Sequence, residues 1–341
     1  MLFPGDYPLH LAETLRPKEN SFGLALDLFA GCGGLALGFE AAGFSTIGFE
    51  ADPNCCATYN ANLDGFCNEV FLTPDTEFPG ADIIIGGPPC QPFSVGGTQK
   101  GSKDARDGFP AFIAAVAKLR PKMWLFENVR GLLYKNKSYF EKVVAELESL
   151  GYVVEYRLLN AVNYLVPQNR ERMIVVGHKG NFKFPSASNY KVSSGQALGA
   201  LAQSAPVDAK YLTSSQDAYI AKYEAASKCI NPRDLNLTKP ARTLTCRNLA
   251  GATGDMQRIR LPDGRRRRVS PREGARLQSF PDWFEFSGGE ISQYNQIGNA
   301  VAPMFAFALA NACATYLSNI EEQDHSVATS VRMPRQPEFS F

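Results

Sequence analysis

The chain has 341 residues, 45% of them hydrophobic and 20% charged, with a formal net charge of +1, which argues for one large globular domain or two and against a disordered or fibrous chain. No apolar run approaches the roughly 18 residues of a membrane span. The start, Met1-Leu2-Phe3-Pro4-Gly5-Asp6, lacks the basic and apolar parts of a signal peptide, so a cytoplasmic protein with no membrane contact is expected.

Residues 1–22 read as a leader with little periodicity. From Phe22 the pattern is βα. Leu24 to Phe29 is a near-continuous apolar strand, the mark of a buried parallel sheet. Gly31, Gly33 and Gly34 lead into a helix from Leu35 to Ala42, which Gly43 ends. Ser45 to Glu50 is a second strand and Pro53 to Asn62 a second helix. Further strands are expected at Ile83–Ile85, Met123–Phe126, Tyr152–Leu159 and Met173–Val176, with helices at Phe109–Leu119 and Tyr139–Leu150. This alternation over 22–178 implies βαβ crossovers and a mostly parallel sheet.

After Gly180 the periodicity weakens. Arg258–Leu261 and Arg265–Val269, joined by Pro262-Asp263-Gly264, read as a hairpin. Ser270-Pro271-Arg272-Glu273 has the spacing of a capping box. Ala300 to Leu317 is a long apolar helix, and the polar tail from Asn319 is expected to be disordered. Residues 231–280 carry twelve Lys and Arg against four Asp and Glu, a local excess suited to a polyanion.

Two segments carry chemistry. The first is Asp27-Leu28-Phe29-Ala30-Gly31-Cys32-Gly33-Gly34, a strand-to-helix loop where backbone can approach a ligand closely. Glu50, at the end of the next strand, is placed to accept hydrogen bonds from ribose hydroxyls. Gly31-x-Gly33-x-x-Ala36 only approximates the dinucleotide fingerprint, and Asp27 suits a cationic sulfonium cofactor at least as well as a pyrophosphate. The second segment is Gly86-Gly87-Pro88-Pro89-Cys90-Gln91-Pro92-Phe93-Ser94, which follows an apolar strand. Two prolines in series make a stiff corner, and a thiol held beyond a strand's carboxyl end is a candidate nucleophile. Most free cysteines are small buried hydrophobes, so the remaining motifs must decide. The eight cysteines include no C-x-x-C pair, so free thiols and no metal are expected.

Those motifs are Glu127-Asn128-Val129, Gln168-Asn169-Arg170-Glu171-Arg172 and Gln296-Ile297-Gly298-Asn299-Ala300-Val301, in that order after the glycine loop and the Pro-Pro-Cys-Gln corner. Together they resemble the motifs of DNA (cytosine-5)-methyltransferases of the bacterial restriction–modification type. The likeness covers 24–178 and 268–317. It implies a Rossmann-like, mostly parallel α/β sheet with helices on both faces, plus a smaller β-rich target-recognition domain. The divisions are then 1–22, a leader; 23–180, the catalytic and cofactor-binding domain; 181–267, target recognition; 268–318, helices completing the catalytic domain; and 319–341, the tail.

The resemblance also implies the activity: methyl transfer from S-adenosylmethionine to carbon 5 of a cytosine flipped out of duplex DNA, leaving S-adenosylhomocysteine. Carbon 5 is a poor nucleophile, and thiolate addition at carbon 6 by Cys90 enriches it. A free thiol titrates near about 8.5, and none of the three histidines, His10, His178 and His325, lies in a motif. The addition must then be driven from the ring's far side. Glu127 is similar to the family's glutamate to ring nitrogen 3 and the amino group, Arg172 to its arginine at O2, and Arg170 to a supporting group. The cofactor would be held by Asp27, Phe29, Gly31, Gly33, Gly34, Leu35, Glu50, Pro89, Asn299 and Val301. Glu69 stands where the family has an aspartate at the adenine. Gln91 and Ser94 begin a glycine-bearing lid over 91–108 and meet DNA. Arg242, Thr243, Arg247, Arg258 and the run Arg265, Arg266, Arg267, Arg268 are the expected contacts to phosphates and base edges. The partners implied are double-stranded DNA and a cognate restriction endonuclease acting independently of this chain, itself a monomer. A tRNA cytosine-5 methyltransferase, a catalytically silent nucleic-acid-binding homologue and a nicotinamide dehydrogenase are the rival readings.

Overall fold

The computed structural model describes residues 5–89, 107–134, 136–226, 234–251 and 255–330. Helix α1 (Tyr7–Thr14) precedes β1 (Leu24–Leu28), α2 (Gly34–Ala42), β2 (Ser45–Glu50), α3 (Pro53–Asn62), β3 (Phe66–Glu69) and β4 (Ile83–Gly86). Next come α4 (Phe109–Leu119), β5 (Met123–Val129), α5 (Lys137–Ser149), β6 (Val153–Asn160), β7 (Gln168–Asn169) and β8 (Glu171–His178). Beyond 180 lie α6 (Ser194–Leu198), α7 (Ser214–Ala226), β9 (Ala241–Arg242), α8 (Cys246–Ala250), β10 (Arg258–Arg260) and β11 (Arg266–Arg268). Helices α9 (Pro271–Leu277), α10 (Glu290–Asn299) and α11 (Pro303–Ser330) complete the chain.

The main sheet has seven strands in the order β3-β2-β1-β4-β5-β8-β6. β3, β2, β1, β4 and β5 are mutually parallel, and β8 is antiparallel to both its neighbours. Alternate residues of each strand feed opposite faces. Ile83, Ile85, Leu125 and Ile174 pack with α2 and α11, whereas Ile84, Trp124, Phe126 and Val175 pack with α4 and α5. The expected sheet with helices on both faces is therefore present.

Local chemistry explains the boundaries. Asp52 caps α3 by accepting from the amides of Asn54 and Cys55, with Pro53 in the first turn. Ser270 and Glu273 form the expected reciprocal capping box on α9. β10 and β11 pair antiparallel, as the hairpin reading required. At Gly34 an added Cβ would lie 2.4 Å from the carbonyl oxygen of Val301, and at Gly38 2.4 Å from Ala306. Only glycine lets the start of α11 lie this close on α2.

Four expectations need correction. The leader contains α1, capped by Asp6, and Tyr7, Leu11 and Leu15 are buried at helical spacing. The backbone stays helical to Ser330, past the Asn319 where the sequence suggested order would stop. The stretch Glu290–Ile320 is long and apolar enough to cross a membrane, but 61% of its most apolar window is buried in the fold. It is also broken between α10 and α11, so it is a core element. Finally, residues 181–267 are not β-rich among the described residues. Their strands are two or three residues long, while α6, α7 and α8 supply most of the regular structure. Phe182, Leu198, Leu244, Leu249 and Ile259 also belong to the same hydrophobic cluster as Leu35 and Phe39.

Candidate active site

The carboxyl ends of β1, β2, β4 and β5 lie together, because these strands are parallel neighbours. The glycine loop leaves β1 there. Phe29 takes a left-handed φ of 60°, a conformation that costs a non-glycine residue about 1–2 kcal/mol and that sharply turns the chain. Gly33 follows at φ 87° as the cap of α2. Glu50 organises the loop from below. One carboxylate oxygen accepts from the Gly31 amide at 2.9 Å, and the other from the amides of Ala51 and Asp52 at 2.7 and 2.9 Å. Three of roughly four acceptor positions are thus filled, which leaves capacity for a hydroxyl.

Asp27 is buried beside this carboxylate. Neither of its oxygens has a hydrogen-bond partner among the described residues. Burial first, and then the Glu50 charge, push its carboxyl up to about 8. Nothing among the described residues lies within 4 Å of a Cβ built at Gly31. An orphaned acid, a second carboxylate and open space over a glycine suit a ligand with ribose hydroxyls and positive charge. They suit a pyrophosphate poorly. Leu35 is buried at the start of α2, and the Val301 carbonyl faces Gly34. Glu69 ends β3 opposite Glu50 and is exposed. Asn299 ends α10, and its side-chain oxygen accepts from the Cys246 thiol at 3.0 Å.

The proline corner continues β4. Asn128 is buried and donates its amide to the Pro88 carbonyl at 2.9 Å, and the Pro89 carbonyl accepts from Gly108 at 2.9 Å. The corner is therefore pinned to β5 and to the start of α4. Asn128 escaped sequence reasoning as a site residue, although it stands within Glu127-Asn128-Val129. Cys90, Gln91, Ser94 and the lid segment 91–106 lie outside the described residues.

On β5 and β8, Glu127 and Arg172 form an ion pair at 2.7 Å, with 12% and 13% of their side chains exposed. Antiparallel register brings them together, since Glu127 lies opposite Ile174 and Val129 opposite Arg172. Arg172 also lines a cleft of about 510 Å³ with Val129, Arg130, Asn169, Glu171 and Thr243. An acceptor and a guanidinium, half-desolvated at one wall, can bind a planar heterocycle by its polar edge.

Arg170 does something else. It is buried, and its guanidinium donates to the carbonyls of Leu244, Gly298 and Ala300 at 2.8, 3.1 and 2.9 Å. Burial pushes it down to about 9, with Arg172 adding to the effect. It is a scaffold that ties the start of β8 to the backbone at Leu244 and to the turn before α11, and it does not line the cleft.

The basic segment is corrected more deeply. Arg258 is fully buried on Asp234 and Glu224, at 2.7 and 3.1 Å. Arg266 pairs with Asp217 and Asp234, and Arg267 is buried on Glu273 at 2.7 Å and on the carbonyls of Leu201 and Ser204. Arg265 pairs with Asp263 and lies over the Tyr211 ring, and Arg268 bonds the Leu249 carbonyl. Arg258 and Arg267 are thus buried within the fold and Arg266 and Arg268 largely bonded into it, while Arg265 stays exposed. Arg242 bonds Asp255, Thr243 bonds the Asn169 carbonyl at 2.6 Å beside the cleft, and Arg247 is 80% exposed.

Comparisons with known proteins agree with this geometry. Residues 24–315 match the family described as C-5 cytosine-specific DNA methylase. Type II methyltransferase M.AplI of Arthrospira platensis is 54% identical over 316 residues, 91% of each chain. Type II methyltransferase M1.HphI of Haemophilus parahaemolyticus is 31% identical over 326 residues, covering 84% of this chain and 85% of its own. Among solved structures, the S. pombe Dnmt2 methyltransferase aligns with a TM-score of 0.64 at 15% identity, covering 87% of this chain and 99% of its own. The Entamoeba histolytica methyltransferase EhMeth aligns with a TM-score of 0.64 at 17% identity, over 89% and 99%.

Proposed function

The chain belongs to the C-5 cytosine-specific DNA methylase family of restriction–modification enzymes and is a DNA (cytosine-5)-methyltransferase, and we propose the following course for its reaction. The family implies S-adenosylmethionine, which when bound supplies an electrophilic sulfonium methyl group. Asp27, Phe29, Gly31, Gly33, Gly34, Leu35, Glu50, Glu69, Pro89 and the Val301 backbone hold it. The target cytosine leaves the duplex to reach the cleft, because carbon 5 is inaccessible within the stack. Cys90 adds its thiolate to carbon 6, and the electron pair of the ring double bond moves toward carbon 5. Glu127 shares a proton with nitrogen 3 and accepts from the amino group, and Arg172 neutralises charge at O2. After carbon 5 is methylated, its proton passes to a water molecule, the C–H electron pair re-forms the double bond to carbon 6, and Cys90 departs as thiolate. Residues 181–267 choose the sequence, with Arg242, Thr243 and Arg247 turned to DNA and Gln91 and Ser94 meeting it from the lid. The enzyme acts as a cytoplasmic monomer, independently of a cognate endonuclease.

The observation that carries this reading is the Glu127–Arg172 pair at 2.7 Å, beside a corner that ends one residue before Cys90. Bisulfite sequencing of plasmid from an expressing host tests it. Retained cytosines in one sequence context are expected. Complete conversion everywhere would refute the reading. Grafting 181–267 onto a related catalytic domain tests the division of labour: an active hybrid that keeps the recipient's target places recognition elsewhere.

A further inference from the structure

β5 and β8 carry two ion pairs across one ladder. The inner one is Glu127–Arg172, with 12% and 13% of the side chains exposed. One residue beyond the Val129–Arg172 rung stands the outer one, Arg130–Glu171, at 2.8 Å with 60% and 43% exposed. Its polarity is reversed: the cation follows β5, and the carboxylate is on β8. Arg130 and Glu171 line the same cleft as Arg172. We propose that Arg130 binds the DNA phosphate beside the target cytosine, and that Glu171 holds its guanidinium until the phosphate displaces it. This rests on the reading that the target nucleotide enters this cleft base first.

A nucleotide that enters base first leaves its phosphate at the mouth. The inner pair then meets the base, and the outer cation is at the right depth for the phosphate. Exchange is energetically open, because an exposed ion pair in water adds little stability. A backbone phosphodiester offers the same fork geometry and the same unit charge, and its neutralisation also releases condensed counterions from the duplex. The Tyr134 ring lies 5.7 Å from the guanidinium and still steadies it once Glu171 is released. Elimination points the same way. Among the described residues, Arg130 and Arg172 are the arginines that line the cleft, and Arg172 is engaged inward. Of the run Arg265 to Arg268, which its sequence offered for phosphates, Arg266 and Arg267 are held by carboxylates and Arg268 by a carbonyl, and Arg265, exposed on Asp263, does not line this cleft.

The test uses the full chain and a duplex bearing its mapped target, with binding followed by anisotropy as salt rises from about 50 to 200 mM. Arg130→Gln is expected to lower the slope of log K against log salt by about 0.9, while Arg130→Lys keeps it. Glu171→Gln is expected to tighten DNA binding severalfold. Both side chains are exposed, so unfolding midpoints should not move and will report any folding defect. An unchanged slope in Arg130→Gln overturns the phosphate contact, and unchanged or weaker binding in Glu171→Gln overturns the latch. Wild-type protein that leaves 5-methylcytosine in DNA while Arg130→Gln keeps its slope sinks this proposal alone. Wild-type protein that leaves none sinks the reading beneath it.

Discussion

The arginines of the β5–β8 cleft and Arg258, Arg266 and Arg267 of the β10–β11 hairpin bond the same kind of partner, a carboxylate, in opposite settings. In the cleft, Arg172 is partly exposed and Arg130 mostly so, each with one acidic partner across a strand pair. In the hairpin, Arg258 and Arg267 are buried, and each is saturated by carboxylates or carbonyls from several elements. A guanidinium removed from water must be fully bonded to persist, and once bonded it has nothing left for a ligand. The local charge excess of the basic segment therefore says little about binding, while the two arginines of the cleft keep guanidinium surface open to a ligand.

The comparison is broken most readily at the inner pair. Glu127→Gln is expected to lower kcat by roughly 10²–10³, the usual consequence of losing one group that stabilises developing charge. The unfolding midpoint should barely change. A kcat within threefold of wild type, followed by methyl incorporation, would place the stabilisation elsewhere. Arg267→Met should do the reverse. It strands the buried Glu273 and is expected to remove about 3–5 kcal/mol of stability in urea unfolding, with little effect on kcat per folded molecule.

Asp27 is the converse case, a buried carboxylate with no cation bonded to it. Its folded value of about 8 lies above the unfolded value near 4. Between those values the folded protein holds a proton that the unfolded chain has lost, so stability falls as pH rises through the window. Asp27→Asn in the cofactor-free protein should flatten this fall and stabilise by a few kcal/mol at pH 8, with no gain at pH 4. Urea midpoints across pH decide it; parallel profiles would contradict the assignment. The smallest effect is expected at Arg265, which is exposed on Asp263 and Tyr211. Arg265→Gln should change neither the unfolding midpoint nor DNA affinity measurably.

What was legible in the sequence had local causes. The βα alternation, the Gly43 stop, the Ser270–Glu273 box and the Asp263-Gly264 hairpin are all set by neighbours within a few residues, and all are present. Helix α1 was legible too, in Tyr7, Leu11 and Leu15, but so short a stretch was taken for a leader. The pairing of Arg258 and Arg266 was not legible because their partners are distant in sequence. Asp217, Asp234 and Glu224 lie in segments whose closeness only the fold creates. The same holds for Glu127 and Arg172, whose roles came from resemblance, and whose contact depends on a strand register that spacing does not encode. Arg170 and Arg172 are two residues apart, yet one is bonded into the scaffold and the other opens on the cleft.

The central claim is that the corner after Pro89 delivers a nucleophile to a cytosine held at the Glu127–Arg172 wall. Incubation with cofactor and a target duplex carrying 5-fluorocytosine tests it directly. Fluorine cannot leave as a proton does, so the thioether to carbon 6 persists through denaturation. Peptide mapping by mass spectrometry should then find the modified nucleotide on Cys90, and Cys90→Ser should form no adduct. An adduct on another residue, or one that survives in Cys90→Ser, would contradict the account.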